Sequence, residues 1–506
     1  MPKASCRVRS LVSVLLLVAA PVPAFTQEGG TAKAEHAQIG VGTESVAGDR
    51  TRHPDAQWFP DAGLGLFIHW GLSSVRAMNI SWPMIPGRAL AAKRIETAEE
   101  RERIVRERDY NLDGKGPAIT PNDYWSMAKD FDPKAYDPDK WLAAAREAGF
   151  TYAVLTTKHH EGFTMWPSAF GDFGARTHLD GRDLVRPFVE ACRRHGLKVG
   201  FYFSGPDWYF DRDYMSFLYG RARQNNPELP SLGPDLLPRR SEKSAEEIAK
   251  HQAEYAALVK GQIEELLTRY GKVDVLWFDG RPAIPRGQDP ISIERIRELQ
   301  PGIVINPRLH GHGDFVTAER TLAEKDRPER GTWAEYCNTW TRSWAHEALP
   351  FRAPGFVLGQ LAHARSWGFN YLLGVGPMAS GEMTPAVYDN MAVVRDWMKA
   401  NGASVVGARP LPEGESASVY ATASGDVRYL FAVPRFKDGY GYVEDQLPAE
   451  DVTLTLTGAG QPRSVTLLAT GKPLEFRYAD GVLSVPLPAA RRTPLVDVVA
   501  VALARD

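Results

Sequence analysis

Between positions 64 and 402 short apolar runs alternate with stretches of helical period. The runs are LGLFIHWG (64–71), TYAVLTTK (151–158), KVGFYFS (198–204), DVLWFDG (274–280), IVINPR (303–308) and NYLLGVGP (370–377). Each is apolar on both faces of a strand, the pattern of a parallel sheet covered on both sides. Between them lie DKWLAAAREAG (139–149), DLVRPFVEACRRHG (183–196), the long stretch 245–271, SIERIRELQPG (292–302), RAPGFVLGQLAHARSWG (352–368) and AVYDNMAVVRDWMKANG (386–402). Their apolar positions recur at helical spacing, and several close on glycine. Repeated strand–helix units predict an α/β fold, an irregular (β/α) TIM-like barrel with fewer than eight clean pairs and an irregular stretch before 352. No GxGxxG opens the first unit, which excludes the usual dinucleotide-binding signature.

After position 404 the pattern changes to strict alternation with turn signals, in SVYATASGDVRYLFAV (418–433), DVTLTLTG (451–458), SVTLLA (464–469) and GVLSVPL (481–487). This predicts a small C-terminal antiparallel β-sandwich. At the other end, Lys3, Arg7 and Arg9 precede the apolar run 11–20, and Val22-Pro23-Ala24 supplies small residues. That is the layout of a secretory signal peptide, too short to span a membrane. The expected organisation is therefore a signal peptide at 1–24, a flexible linker at 25–53, a catalytic barrel at 54–403 and a sandwich at 404–506. The expected location is secreted or periplasmic.

Composition narrows the function classes. The 506 residues are 43% hydrophobic and 24% charged, with a net charge of −2. This suits a soluble globular protein and gives no reason to expect nucleic acid or a membrane as partner. After loss of the leader only Cys192 and Cys337 remain, enough for one disulfide and no framework.

In a parallel barrel, strand C-terminal ends carry the chemistry. Here they carry His69 and Trp70, His159, His160 and Glu161, Tyr202 and Ser204 with Asp207 and Trp208 beyond, Asp279, and Asn306 and Arg308. Singly, a strand-end Asp caps the next helix and a His satisfies backbone. Together they form an aromatic wall (Trp70, Trp208, Trp277), neutral hydrogen-bonding groups, an Arg and isolated carboxylates, an inventory for gripping a polyol. Glycoside hydrolysis needs two carboxyl groups flanking the bond. Asp279 is the first candidate, held by a rigid strand near Arg308. A metal site is the competing use of the histidines. The first strand has a single His, however, and the His310-x-His312 pair lies in a Gly-rich loop.

The motifs GLGLFIHWGLSSV, KHHEGFTMWPS, LKVGFYFS, VLWFDG and NYLLGVGP, in this order, resemble the retaining α-L-fucosidases of glycoside hydrolase family 29, over about 58–402. The resemblance implies an irregular barrel with a C-terminal β-sandwich, no metal or organic cofactor, and a fucosylated oligosaccharide or glycoconjugate as substrate. It implies Asp279 as nucleophile and His69, His159, His160, Tyr202 and Arg308 as sugar-binding residues. Trp70, Trp82, Trp208, Trp277 and Trp344 join that set as aromatic contacts. Two glutamates match the family's acid/base segments: Glu319 in GDFVTAE, which is preferred, and Glu335 in WAEYCNTWTRSW. Gly374 stands where the family usually has Asn, and long inserts follow the first and third strands. Three alternatives stay open: a related α-L-glycosidase such as an α-L-galactosidase, a metal-dependent barrel hydrolase, and a non-catalytic fucose-binding protein.

Overall fold

The computed structural model describes residues 35–42, 44–46, 50–116, 119–239 and 242–504. The leader at 1–24 lies outside them, as does the first part of the linker region. Among the described residues no helix is long and apolar enough to cross a membrane.

Eight parallel strands form one curled sheet: β1 (Leu64–Ile68), β2 (Tyr152–Lys158), β3 (Lys198–Ser204), β4 (Val275–Asp279), β5 (Val304–Ile305), β6 (Val316–Glu319), β7 (Ala334–Thr339) and β8 (Phe369–Val375). Their spatial order is β5-β4-β3-β2-β1-β8-β7-β6. The sheet is an incomplete barrel, since β5 and β6 are its two edges. Asp314 bridges that seam. Its N–H donates to the Ile305 carbonyl at 2.8 Å, and its carboxylate accepts from the N–H groups of Ile305 (2.9 Å) and Thr51 (2.8 Å). A side chain thus satisfies backbone groups that a closing strand pair would otherwise use.

Helices α1 (Pro138–Glu147), α2 (Val185–Arg194), α3 (Ala245–Arg269), α4 (Ile293–Leu299), α5 (Pro354–Ser366) and α6 (Pro385–Asn401) follow the expected stretches. Local chemistry starts them: Asp137 caps α1 before Pro138, and Ser244 with Glu247 forms a capping box on α3. The inserts after β1 and β3 pack on each other at the rim. The Asn226 side chain accepts from the Ile95 N–H at 2.7 Å and donates to the carbonyls of Leu90 and Lys93.

The C-terminal strands form two antiparallel sheets of six and four strands around their own core, including Leu430, Leu454, Val485 and Val499. Cys192 and Cys337 are separate buried thiols, so no disulfide joins them.

The region read as a flexible linker departs from expectation in its described part. Within 35–46, Ser45–Val46 pairs in parallel with His312–Gly313, and the Ile39 carbonyl accepts from the Arg281 N–H at 2.9 Å. These partners lie more than two hundred positions away, so local composition carries no trace of them.

Candidate active site

Strand period decides which side chains enter the barrel. On β4, Trp277 and Asp279 share the inner face while Phe278 points away. Register then sets Asp279 beside Ser204 and Trp277 beside Tyr202 of β3. Both oxygens of Asp279 are engaged. The Tyr202 hydroxyl donates to Oδ2 at 2.8 Å, and Arg308 Nη1 donates to Oδ1 at 2.9 Å. Burial, then the charge on Asp279, raises the Tyr202 hydroxyl well above its usual range, which keeps it a donor.

Arg308, fully buried beyond β5, is the hub. Its Nη2 bonds Glu319 Oε2 at 2.8 Å, its Nε lies 3.2 Å from Glu44 Oε1, and its guanidinium stacks 4.5 Å over the Trp277 ring. One planar cation therefore holds three carboxylates, a task that suits a guanidinium and not an ammonium. Burial alone would raise the Glu319 carboxyl, but His36 and Arg308 outweigh it and hold it well below the usual range. Glu319 closes β6 at the mouth, so both carboxylates line one small cavity.

That cavity is lined by His69, Trp82, His159, Tyr202, Trp277, Asp279, Arg308, Glu319 and Trp344, as the sequence led one to expect, and by Phe67, Ile80, Cys337, Glu35, His36 and Ile39. His160 stands just behind, with Nε2 3.6 Å from Asp279 Oδ2. Burial, followed by the neighbouring His159, lowers the proton affinity of both His69 and His160. Neutral rings result, and His69 Nδ1 and His160 Nε2 are buried with no hydrogen-bond partner in the protein. Second contacts fix the other nitrogens: His159 Nδ1 lies 2.5 Å from Ser81 Oγ, and His160 Nδ1 lies 2.7 Å from Ser204 Oγ. The absent Asn at Gly374 has a local explanation. A Cβ there would come within 3.0 Å of the Trp344 ring, so the glycine lets Trp344 lie against β8.

Besides His160, three expected residues are not in this cavity. Trp70 follows inward-facing His69 and so turns outward, where its ring packs on Trp141 and Tyr136 and its Nε1 donates to the Met378 carbonyl. Trp208 sits behind the wall, edge-on to Trp82 at 5.5 Å. Glu335 lies beneath the floor. Its Oε1 accepts from Trp277 Nε1 and its Oε2 from the Tyr152 hydroxyl, both at 2.7 Å. The residues that sequence reasoning passed over are Ser81, Glu44 and the pair Glu35–His36. Only their polar character within quiet segments could have flagged them.

Could the site hold a metal? His159, His160 and Asp279 each offer a ligand atom within 4.8 Å of the others. Yet the Asp279 carboxylate is already matched by the Arg308 guanidinium and accepts from the Tyr202 hydroxyl, so both of its oxygens are engaged.

The profile of the family described as Alpha-L-fucosidase matches residues 32–403. The chain belongs to the α-L-fucosidase family. It is thus a glycoside hydrolase. Similar curated sequences include the tissue α-L-fucosidase of Bos taurus, 24% identical over 83% of this chain and 84% of that one. Among solved structures, α-L-fucosidase isoenzyme 1 from Paenibacillus thiaminolyticus is 29% identical, with a TM-score of 0.63 over 89% of this chain and 99% of that one. A GH29 α-L-fucosidase of Bacteroides thetaiotaomicron, trapped as a covalent intermediate, shares the fold at 22% identity, with a TM-score of 0.64 over 92% and 99%.

In this fucosidase fold Glu335 acts as a strut. Burial pushes its carboxyl up to about 7 against the two hydrogen bonds it accepts. An acid whose proton affinity rises on folding makes the native state bind more protons than the unfolded chain, so stability falls as pH climbs from about 4.5 to about 7. Glu335→Gln removes that penalty and keeps partners for Trp277 and Tyr152. The variant should gain on the parent by on the order of 2–3 kcal/mol between pH 5 and pH 8. Thermal unfolding at both pH values tests this. Activity should stay within about tenfold of the parent, because only positioning of Trp277 is touched.

Proposed function

We propose that the protein is a retaining exo-α-L-fucosidase that releases terminal α-linked L-fucose by double displacement, with Asp279 as nucleophile and Glu319 as acid/base. One observation carries the reading: a single guanidinium bonds both carboxylates, and both face the same small cavity. Two carboxylates bonded to one guanidinium and lining one cavity form the kind of pair a double displacement uses, one as nucleophile and one as acid/base. The covalent intermediate trapped in the Bacteroides fucosidase is in keeping with this choice.

Asp279 attacks the anomeric carbon from the face opposite the leaving oxygen, forming a fucosyl ester. Glu319 gives its proton to that oxygen as the glycosidic bond breaks. Water then enters on the vacated face, loses a proton to Glu319, and displaces Asp279. Tyr202 and Arg308 hold the nucleophile's two oxygens and stabilise the carboxylate as it leaves. His69, His159 and His160 grip hydroxyls, and Trp82, Trp277 and Trp344 wall the ring.

Proton NMR of the full protein acting on an aryl α-L-fucoside tests the reading. The first product should be α-L-fucose, with the β anomer appearing only by mutarotation. Turnover should survive a strong chelator unchanged and exceed that of the matching α-L-galactoside. Initial release of β-L-fucose would refute the double displacement, and loss of activity on chelation would favour the His159–His160–Asp279 cluster as a metal site.

A further inference from the structure

The described residues 35–42 and 44–46 form an arm that brings Glu35, His36 and Ile39 into the cavity lining and is tied to the barrel at several points. Glu35 Oε1 pairs with Arg88 Nη2 at 2.6 Å, and Arg88 stacks over Trp82, a wall of the cavity. The Gln38 side chain accepts from the Gly220 N–H at 2.6 Å, fastening the arm to the insert after β3. Glu44 meets Arg308 and accepts from the hydroxyl and N–H of Thr317 on β6. Gly280, directly after Asp279, has φ +79°, and a Cβ there would lie 2.5 Å from the Ile39 carbonyl. The end of the nucleophile strand is therefore shaped to receive the arm. Near its start, His36 Nε2 donates to Glu319 Oε2 at 2.8 Å, with the His36 side chain 21% and that of Glu319 9% exposed.

We propose that this arm is a working wall of the active site and that His36 is a positioning residue for Glu319. The proposal rests on Glu319 being the acid/base. His36 and Arg308 both bond Oε2, so Oε1 is the oxygen left to meet the leaving group. Two fixed bonds on one oxygen hold the carboxyl plane, and proton transfer depends steeply on such alignment. The titratable groups around Glu319 come from every side: Glu35, His36 and Glu44 on the arm, Arg308 after β5 with Asp279 beyond it, Arg320 next in the chain, His69 after β1 and Cys337 on β7. Among these His36 opposes protonation of Glu319, so its removal raises the pH at which Glu319 surrenders its proton.

The test uses His36→Ala and His36→Gln in the full chain, each assayed on methyl α-L-fucoside and on a nitrophenyl α-L-fucoside whose leaving group needs little protonation. His36→Ala should lose about 10- to 100-fold in kcat/KM on the methyl fucoside and less than about threefold on the nitrophenyl one. The basic limb of its pH profile should move to higher pH. His36→Gln retains a donor without the ring, so it should recover much of the methyl fucoside activity while the limb stays displaced. Equal losses on both substrates with an unmoved pH profile would overturn the proposal and leave the arm a passive cover. Glu319→Ala with sodium azide is the control for the underlying reading. If azide accelerates that variant while His36→Ala behaves as the parent, the His36 role alone fails. If azide does nothing, the acid/base assignment fails and the His36 role with it.

Discussion

Asp279→Gly should lower kcat on an aryl α-L-fucoside by at least about 10,000-fold, the scale at which loss of a catalytic group leaves only binding and residual electrostatics. The fold should persist. Arg308 keeps Glu44 and Glu319 as partners, so deleting one of three carboxylates does not strand a buried cation. The Tyr202 hydroxyl loses its acceptor, a cost of about 1–3 kcal/mol that a chain of this size can absorb. The decisive readout is rescue. Azide fits the space left by the carboxyl and attacks from the nucleophile's face, so Asp279→Gly should yield β-L-fucosyl azide, the inverted product. Asp279→Asn should be equally slow but beyond rescue, because the amide fills that space. Recovery of the α azide from Asp279→Gly would mean that another residue still forms the covalent intermediate.

The strand that ends in Asp279 was legible because its pattern is extreme. Four apolar residues end in one acid and a glycine, and burial leaves that acid only the mouth of the barrel. The same directness failed where buried positions are polar. Strands β6 and β7 fell within the stretch read as irregular, since VTAE and AEYCNT place Glu319, Glu335, Asn338 and Thr339 at sites a hydrophobic pattern needs apolar. Glu319, Glu335 and Asn338 are tolerated because Arg308, Trp277, Tyr152 and Arg352 supply partners from outside their own strands. Trp70 and Trp208 show a second limit. A strand-end aromatic is visible in the sequence, but which side of the barrel it faces turns on a shift of one residue. The arm at 35–46 is the third case. Its few polar residues read as linker because their order comes from partners on β6, on the rim and beside β4. Family resemblance brought forward both glutamates, yet only the folded chain separates the one at the cavity from the one under its floor.

Glu319→Ala should cost about 100- to 10,000-fold in kcat/KM on methyl α-L-fucoside, the usual worth of a general acid, and far less on a nitrophenyl fucoside. With the activated substrate the first step still proceeds, and the fucosyl-enzyme accumulates because no base activates water. Azide needs no base, so it should accelerate turnover and give α-L-fucosyl azide, opposite in configuration to the product expected from Asp279→Gly. The pH profile carries a further demand. A general acid must be protonated, and His36 and Arg308 hold the Glu319 carboxyl well below the usual range in the free protein. The parent's kcat/KM on the methyl fucoside should therefore rise as pH falls, with its basic limb on the acid side of neutrality. Glu319→Ala should lack that limb. Stability runs the other way. A carboxyl depressed on folding contributes stability above its unfolded value, near 4.5, and loses it as pH falls further. The pH that protonates the acid is thus the pH that begins to loosen its ion pairs with Arg308 and His36. A parent profile flat through neutral pH, with the same leaving-group dependence in Glu319→Ala, would show that the proton comes from elsewhere.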